Sequence, residues 1–232
     1  MGLLLFRNEA CMVINKLPGE SSEFPDLNFP LDSEGPKGTS QIFPVHRLDV
    51  PVSGCLLLAL SKTAAAFLGE AFRAGSRGQS GESSVEKRYW AIVEKTTRQI
   101  PQEAELVHWL SVNKKTNKTF AHETRKDGYS KKAVLRYRFC GQGDNYLFLE
   151  IDPVTGRHHQ IRAQLAAIGL YVKGDLKYGA KRSEKAGGSI RLHAHSLAFP
   201  NPLNHRERIR VESLPPFMDP LWQAFVDTVR PA

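Results

Sequence analysis

Short apolar runs separated by turn-rich polar stretches dominate the chain, and few of those runs carry a helical period. Leu3-Leu4-Leu5-Phe6 and Met12-Val13-Ile14 read as two opening strands, and Asn15-Lys16-Leu17-Pro18-Gly19 has the residues of a turn. Residues 20–43 are rich in Ser, Pro, Gly and Asp without a sustained period, which predicts a long loop. Cys55-Leu56-Leu57-Leu58-Ala59-Leu60 is a continuous apolar run of strand length, the pattern of a strand buried on both faces. Ser61 then stands where a helix N-cap belongs, and Ala64, Phe67, Leu68, Ala71 and Phe72 recur at helical spacing to about Arg73. Residues 75–84 are polar and Gly/Ser-rich and predict a surface loop.

In the second half Lys87 to Glu94 alternates, so that Tyr89, Ala91 and Val93 share one face of a strand. Residues 95–128 carry many Lys, Thr, Asn and His and predict strands with hairpin turns. Ala133–Phe139 and Asn145–Asp152, joined by Gly141-Gln142-Gly143-Asp144, form a β-hairpin pattern. A helix is predicted from about His158 to Ile168, with Ile161, Leu165 and Ile168 as its stripe and Gly169 to end it. Gly174-Asp175 and Tyr178-Gly179 follow in a loop, then a late strand Leu192–Phe199 ending at Pro200-Asn201-Pro202. Asp219-Pro220 opens a last helix that turns Leu221, Trp222, Phe225 and Val229 inward. Strands outnumber helices and the βαβ alternation of a doubly wound sheet is absent. The expected class is α+β, a mixed, largely antiparallel sheet flanked by a few helices. No internal repeat or composition shift divides the chain, so residues 1–232 read as a single domain.

Charge adds a partner class to this outline. Lys and Arg number 32 against 24 Asp and Glu, a net +8 that favours polyanions, because each phosphate contact releases a counterion. Cys11, Cys55 and Cys140 lie far apart without a C-x-x-C pair, and Cys55 falls in an apolar run. Reduced core thiols and a cytoplasmic location are expected. The apolar start Met1–Phe6 is too short for a signal peptide or a membrane span.

Two clusters carry candidate chemistry. In His46-Arg47-Leu48-Asp49-Val50-Pro51-Val52-Ser53-Gly54 a carboxylate sits two residues after an arginine at the mouth of the apolar run. A surface ion pair is the commoner fate of such a spacing. In Thr155-Gly156-Arg157-His158-His159-Gln160-Ile161-Arg162 the donors of Arg157, His159, Gln160 and Arg162 gather at a helix start, suited to phosphate and sugar oxygens. A solvated charged face is the plainer alternative. The histidines do not make a metal site by pattern: His158 and His159 are adjacent, which on a helix points them to different faces. His193 and His195 share a strand face without a carboxylate or Cys cluster beside them. No metal is expected, and no nucleotide-binding loop is present in the sequence. A glycoside hydrolase would need a second carboxylate for Asp49, and Glu150 and Asp152, alternating on a strand, read as structural.

HRLD followed by Ser53-Gly54 resembles the active-site motif of the RluA family of pseudouridine synthases. Gly156-Arg157-x-His159-Gln160-Ile161-Arg162, with Gly169, Gly174-Asp175 and Tyr178-Gly179 after it, resembles a second motif of that family. Three further pieces agree in order: Lys87-x-Tyr89-x-Ala91, Asp127-Gly128 ahead of Lys132-Ala133, and Leu192-His193-Ala194. The resemblance runs from about residue 9 to about 217. The chain departs from the family pattern at Val52 and His158, where threonine is usual, at Gln164, where histidine is frequent, and at Pro18, displaced by one place.

The resemblance implies the pseudouridine synthase catalytic fold and an isomerase that converts a uridine of structured RNA, a tRNA or ribosomal RNA stem-loop, to pseudouridine without a cofactor. It implies Asp49 as the catalytic carboxylate, Arg162 as its salt-bridge partner and Tyr89 against the uracil. Arg47 would fill the place of the flipped nucleotide, with Arg157, His159 and Gln160 at the RNA. A monomer made of the catalytic domain alone, with no extra RNA-binding domain before it, is expected. A non-catalytic RNA-binding protein on the same scaffold is the alternative, against which the joint presence of Asp49, Tyr89 and Arg162 speaks.

Overall fold

The computed structural model describes residues 3–23, 42–77, 81, 83–184 and 189–229. In chain order its elements are β1 (Leu3–Arg7), β2 (Cys11–Lys16), β3 (Phe43–Pro44), β4 (Ser53–Ala59), α1 (Lys62–Ser76), β5 (Glu86–Glu94), β6 (Glu103–Asn113) and β7 (Lys118–His122). After these come β8 (Lys131–Gln142), β9 (Tyr146–Pro153), α2 (Gln160–Ala167), a 3-10 turn (Leu176–Tyr178), β10 (Leu192–Asn201), β11 (Asn204–Glu212) and α3 (Pro220–Val229). Contacts gather into two compact units interleaved along the chain. The first takes Met1–Lys87 and Ala194–Pro216, the second Arg88–His193 and Phe217–Ala232. Among the described residues no helix is long and apolar enough to cross a membrane.

In the first unit β4 is the central strand. It runs antiparallel to β2 and, at Leu58 and Ala59, to β3, and it neighbours β10. All of β2 and β4 are buried, as a continuous apolar run requires. Helix α1 covers one face. Its start is fixed by Ser61, whose Oγ accepts the Ala64 N–H at 3.1 Å, and its stripe Ala64, Leu68, Ala71 packs on Cys55, Leu57 and Ala59. Gly54 lets β4 approach β10: its φ is +119°, and a Cβ there would lie 2.3 Å from the Ala194 carbonyl oxygen. Strand β11, which the sequence does not reveal, pairs antiparallel with β10. Arg208 fastens it by donating to the carbonyls of Gly81 (2.8 Å) and Ser84 (3.0 Å). The strand's alternation is confined to its second half, where Ile209 and Val211 turn to the core between Arg208, Arg210 and Glu212.

The second unit is an antiparallel run in the order β5-β9-β8-β6-β7. Its outer face carries directly opposed charges, Glu103–Arg138–Glu150 in one row and Glu105–Arg136–Asp152 in the next. Helix α3 lays Trp222 and Phe225 on Trp90, Ile92 and Phe148, and Asp219 caps it by accepting the Trp222 N–H at 3.0 Å. Helix α2 packs Ala163 against Leu110 and Ala133.

The expected α+β class with a largely antiparallel sheet and three helices is what the structure shows. The 133–152 hairpin and the helix caps at Ser61 and Asp219 stand as read. Helix α2 starts two residues later than expected, at Gln160. Most of the loop expected over 20–43 and part of that over 75–84 lie outside the described residues.

Gly54→Ala combines a forbidden φ with a backbone clash. It is expected to cost about 3 kcal/mol or more, which lowers the melting temperature by roughly 10 °C. An unchanged thermal melt would mean that β4 and β10 can separate by the width of a methyl group without penalty.

Candidate active site

Around Asp49 the backbone of the first unit is held at nearly every step. His46 is half-buried, and the loss of water around its ring pushes its pKa down to about 3, with the charge of Lys87 adding to the effect. The ring is therefore neutral, and Nε2 accepts the Leu57 N–H at 2.9 Å while the ring stacks on Phe72 with centroids 4.6 Å apart. The Ser22 hydroxyl accepts the Leu48 N–H and donates to the Leu48 carbonyl, both at 2.9 Å. The Val50 carbonyl accepts from Gly19 N–H at 2.7 Å and from Lys16 Nζ at 3.2 Å. Val52 N–H donates to the Asp49 carbonyl at 2.9 Å and closes a turn over Val50 and Pro51.

Lys16 is the unexpected member of this group. Its side chain is fully buried, and its ammonium donates to three carbonyls: Leu17 (2.8 Å), Glu20 (3.0 Å) and Val50 (3.2 Å). That matches three donors with three acceptors. Burial pushes its pKa down to about 8, and the nearby charges of Glu20 and Asp49 pull it partly back. Arg47, by contrast, is 73% exposed and pairs with Glu23 at 3.0 Å. An exposed pair of this kind is worth about 0–1 kcal/mol, weak enough to be exchanged for a phosphate.

In the second unit Tyr89 is half-buried on β5 opposite Ile151. The turn before α2 is organised by Gln160. Its Oε1 accepts from Thr155 Oγ1 (2.7 Å) and Arg157 N–H (3.0 Å), and its Nε2 donates to the Val134 carbonyl (3.0 Å). With 4% exposure and both ends of its amide engaged, Gln160 shapes the turn and has no donor turned to solvent. The two histidines correct an expectation. They precede the helix, His159 takes the left-handed conformation at φ +48°, and their rings stack with centroids 3.8 Å apart. His158 meets Thr119 at 3.0 Å, and His159 Nδ1 meets the Tyr178 hydroxyl at 2.9 Å. Arg157 is exposed, and its Nε donates to the Lys132 carbonyl at 3.4 Å.

Arg162 is buried on α2 and grips Asp175 with two prongs, Nε to Oδ2 at 2.6 Å and Nη2 to Oδ1 at 2.8 Å. The exposures are 5% and 1%. Its guanidinium also lies over the Tyr178 ring at 4.8 Å, and Lys118 Nζ lies over the same ring at 5.3 Å. Tyr178 accepts the Thr119 N–H at 2.9 Å, so one phenol ties α2, β7 and the 3-10 turn.

Lys16, Ser22, Asp175 and Tyr178 are the positioning residues that sequence reasoning left without a role. Asp175 and Tyr178 appear in a motif spacing; Lys16 and Ser22 act across sequence separations of 34 and 26. Among the described residues no group of three His, Cys, Asp or Glu is arranged to hold a metal ion. A cleft of about 470 Å³ in the second unit is lined by the paired rows on β5, β9, β8 and β6. Glu150 there bonds Arg138 at 3.0 Å and Asp152 bonds Arg88 at 3.2 Å, so these acids brace a sheet.

The family model for RNA pseudouridylate synthase matches residues 10–167. An uncharacterised RNA pseudouridine synthase of Zymomonas mobilis is 35% identical over 185 residues, which cover 79% of this chain and 74% of that protein. A tRNA pseudouridine synthase C of Haemophilus ducreyi is 27% identical over 242 residues, 95% of this chain and 92% of the relative. The solved structure titled human RNA Pseudouridylate Synthase Domain Containing 1 shares the fold, with a TM-score of 0.73 at 23% identity over 97% of this chain and 87% of that one. Since the matched segment runs from the start of β2 to the end of α2 and takes in Asp49, Tyr89 and Arg162, the chain belongs to the RNA pseudouridylate synthase family.

Proposed function

We propose that residues 1–232 work as one catalytic unit in which Asp49 is the catalytic carboxylate. As a family member the protein is an isomerase that converts uridine in RNA to pseudouridine. The reaction breaks the bond from the sugar C1′ to N1 of the base, turns the uracil, joins C5 to C1′, and moves a proton from C5 to the freed nitrogen. Substrate and product are isomers, so the balance needs no donor, acceptor or cofactor. Asp49 acts at the sugar, by attack on C1′ or by taking a sugar proton. Arg162 is the cation of the reaction, its guanidinium set in place by Asp175 and Tyr178. Tyr89 stacks on the uracil, near the C5 proton. Arg47 fills the gap left in the RNA when the nucleotide is flipped out, since a stacked base is out of reach. Arg157 and His159 meet the RNA backbone, and Gln160 supports them through the turn. The RNA is a tRNA or ribosomal RNA stem-loop, and the protein acts as a cytoplasmic monomer.

The observation that carries this reading is the clamp on the Asp49 turn. Ser22 and Lys16 fix the backbone on either side of that residue, at Leu48 and Val50. A backbone held this firmly on both sides of a half-buried acid fits a group that must be aimed. Mapping pseudouridine in total RNA from cells with and without the gene tests the reading and names the target.

Asp49→Asn keeps shape and removes charge. It is expected to give folded, RNA-binding protein with no detectable pseudouridine, and turnover near wild type would end the assignment. Arg162→Met removes the cation from a buried pair and strands Asp175, a loss of about 3–5 kcal/mol. Both melting temperature and activity are expected to fall. Arg162→Lys should recover part of each, lacking the two-pronged geometry; full activity in the Met variant would reduce Arg162 to a structural residue.

RNA affinity is expected to fall steeply with salt, with a log–log slope of several units for several phosphate contacts. Arg47→Ala should reduce turnover at saturating RNA, whereas replacing Lys114 and Lys115 by Ala should weaken binding with little change at saturation. Identical kinetics for the two, or salt-insensitive binding, would contradict nucleotide flipping.

A further inference from the structure

Residues 123–130 join β7 to β8, and they are built more firmly than a connection requires. Asp127 Oδ1 accepts three hydrogen bonds, from Tyr129 N–H (2.9 Å), Ser130 N–H (2.7 Å) and Ser130 Oγ (2.8 Å). Those bonds, the Ser130 hydroxyl first, hold its carboxyl below the usual range. Arg125 closes the other side. Its Nε donates to the Asp127 carbonyl (3.1 Å), its Nη2 to the Gly128 carbonyl (3.4 Å), and its guanidinium lies over the Trp109 ring at 5.5 Å. Where β8 begins, the Lys132 carbonyl is tied to Arg157 at the turn before α2.

On this fixed turn stands Tyr129 with 90% of its surface exposed. It has no part in the core clusters around Trp90 and Phe225 or around Leu110 and Tyr178. Lys126 precedes it and Lys131 and Lys132 follow it, all exposed, while the acid between them, Asp127, is engaged within the turn. An aromatic ring raised on a rigid support between cations presents a π-face to a strand of phosphates. Such a face stacks any unpaired base, and the flanking cations follow the backbone. The firm turn matters because a backbone already ordered by Asp127 and Arg125 leaves only the side chain's own rotations to be lost on binding. A protein partner would call for an apolar surround, and from Glu123 to Lys132 every residue but Gly128 and Tyr129 itself is polar or charged.

We infer that Tyr129 is a stacking platform for an unpaired base of the substrate RNA other than the target uridine. The inference rests on the proposed function in one respect only, that the polyanion is RNA. Tyr129 thereby contributes to the choice of RNA: loops with an extrudable base in reach are favoured over plain duplex.

The test uses total RNA from cells lacking the gene, which contains the target in unmodified form. Filter binding and pseudouridine formation are measured for wild type, Tyr129→Ala, Tyr129→Phe and a Lys131→Ala/Lys132→Ala double variant. Tyr129→Ala is expected to raise both Kd and KM by about five- to a hundredfold, with kcat within about twofold of wild type. Tyr129→Phe keeps the ring and should stay near wild type. The salt slope should be unchanged in Tyr129→Ala, which removes no charge, and should fall in the lysine variant. Wild-type Kd and KM in Tyr129→Ala overturn the inference, as does a Tyr129→Phe variant as weak as the Ala one, which would assign the effect to the hydroxyl. A wild-type protein that binds RNA but forms no pseudouridine would defeat the catalytic reading alone, and the Kd series would still decide the stacking role. One that binds no RNA would defeat both.

Discussion

A charge that leaves water must be met by another charge or by a full set of hydrogen bonds, and the second unit is arranged around such a meeting. Arg162 and Asp175 lie 13 residues apart, both almost wholly buried, and join through two bonds. Neither can be introduced alone. The pair fixes the face that α2 turns inward and the position of the chain after Gly174. Tyr178 then lies under the guanidinium, and its hydroxyl reaches Thr119 and His159. Through Thr119 the hairpin of β6 and β7 is tied to the same point. One buried ion pair therefore sets the mutual placement of a helix start, a hairpin and a 3-10 turn within that unit.

The first unit meets the same constraint differently. Lys16 has only carbonyls as hydrogen-bond partners, two from the turn Leu17–Glu20 and one from Val50, with the charges of Glu20 and Asp49 acting from nearby. A neutral isostere would leave those carbonyls unsatisfied in the interior, and each such loss is comparable to a missing hydrogen bond. The Asp49 turn is thus specified from below by a residue 33 positions earlier in sequence. His46 completes the arrangement as a neutral acceptor, a state that desolvation of its ring and the charge of Lys87 favour.

What could be read from the sequence followed the range over which each signal acts. The β4 run, the hairpin of β8 and β9, and the caps at Ser61 and Asp219 are local patterns, and local patterns are visible in one dimension. Strand β11 was hidden because its first half, Asn204-His205-Arg206-Glu207, is polar throughout, and only Ile209 and Val211 alternate with charged residues. The stacking of His158 on His159 was hidden because it depends on a single left-handed residue. Gln160 looked like an RNA donor by its place in a polar cluster, yet Thr155 and Val134 take up its amide. Family resemblance singled out Asp49, Tyr89 and Arg162 as candidates but not Lys16 or Ser22, since a partner 26 or 34 residues away leaves no local spacing to find.

The lowered pKa of Lys16 has a bearing on chemical reactivity. An amine near pH 8 holds a far larger neutral, nucleophilic fraction at physiological pH than a surface lysine does. In the closed fold that nucleophile is sealed among carbonyls and out of reach of any electrophile in solution. It becomes available only when the turn at Leu17–Glu20 parts from Val50, and entering water then returns the amine to its ordinary pKa. The rate at which an amine-directed reagent finds Lys16 is then a clock for opening of the Asp49 turn, running inside the protein and needing no introduced label.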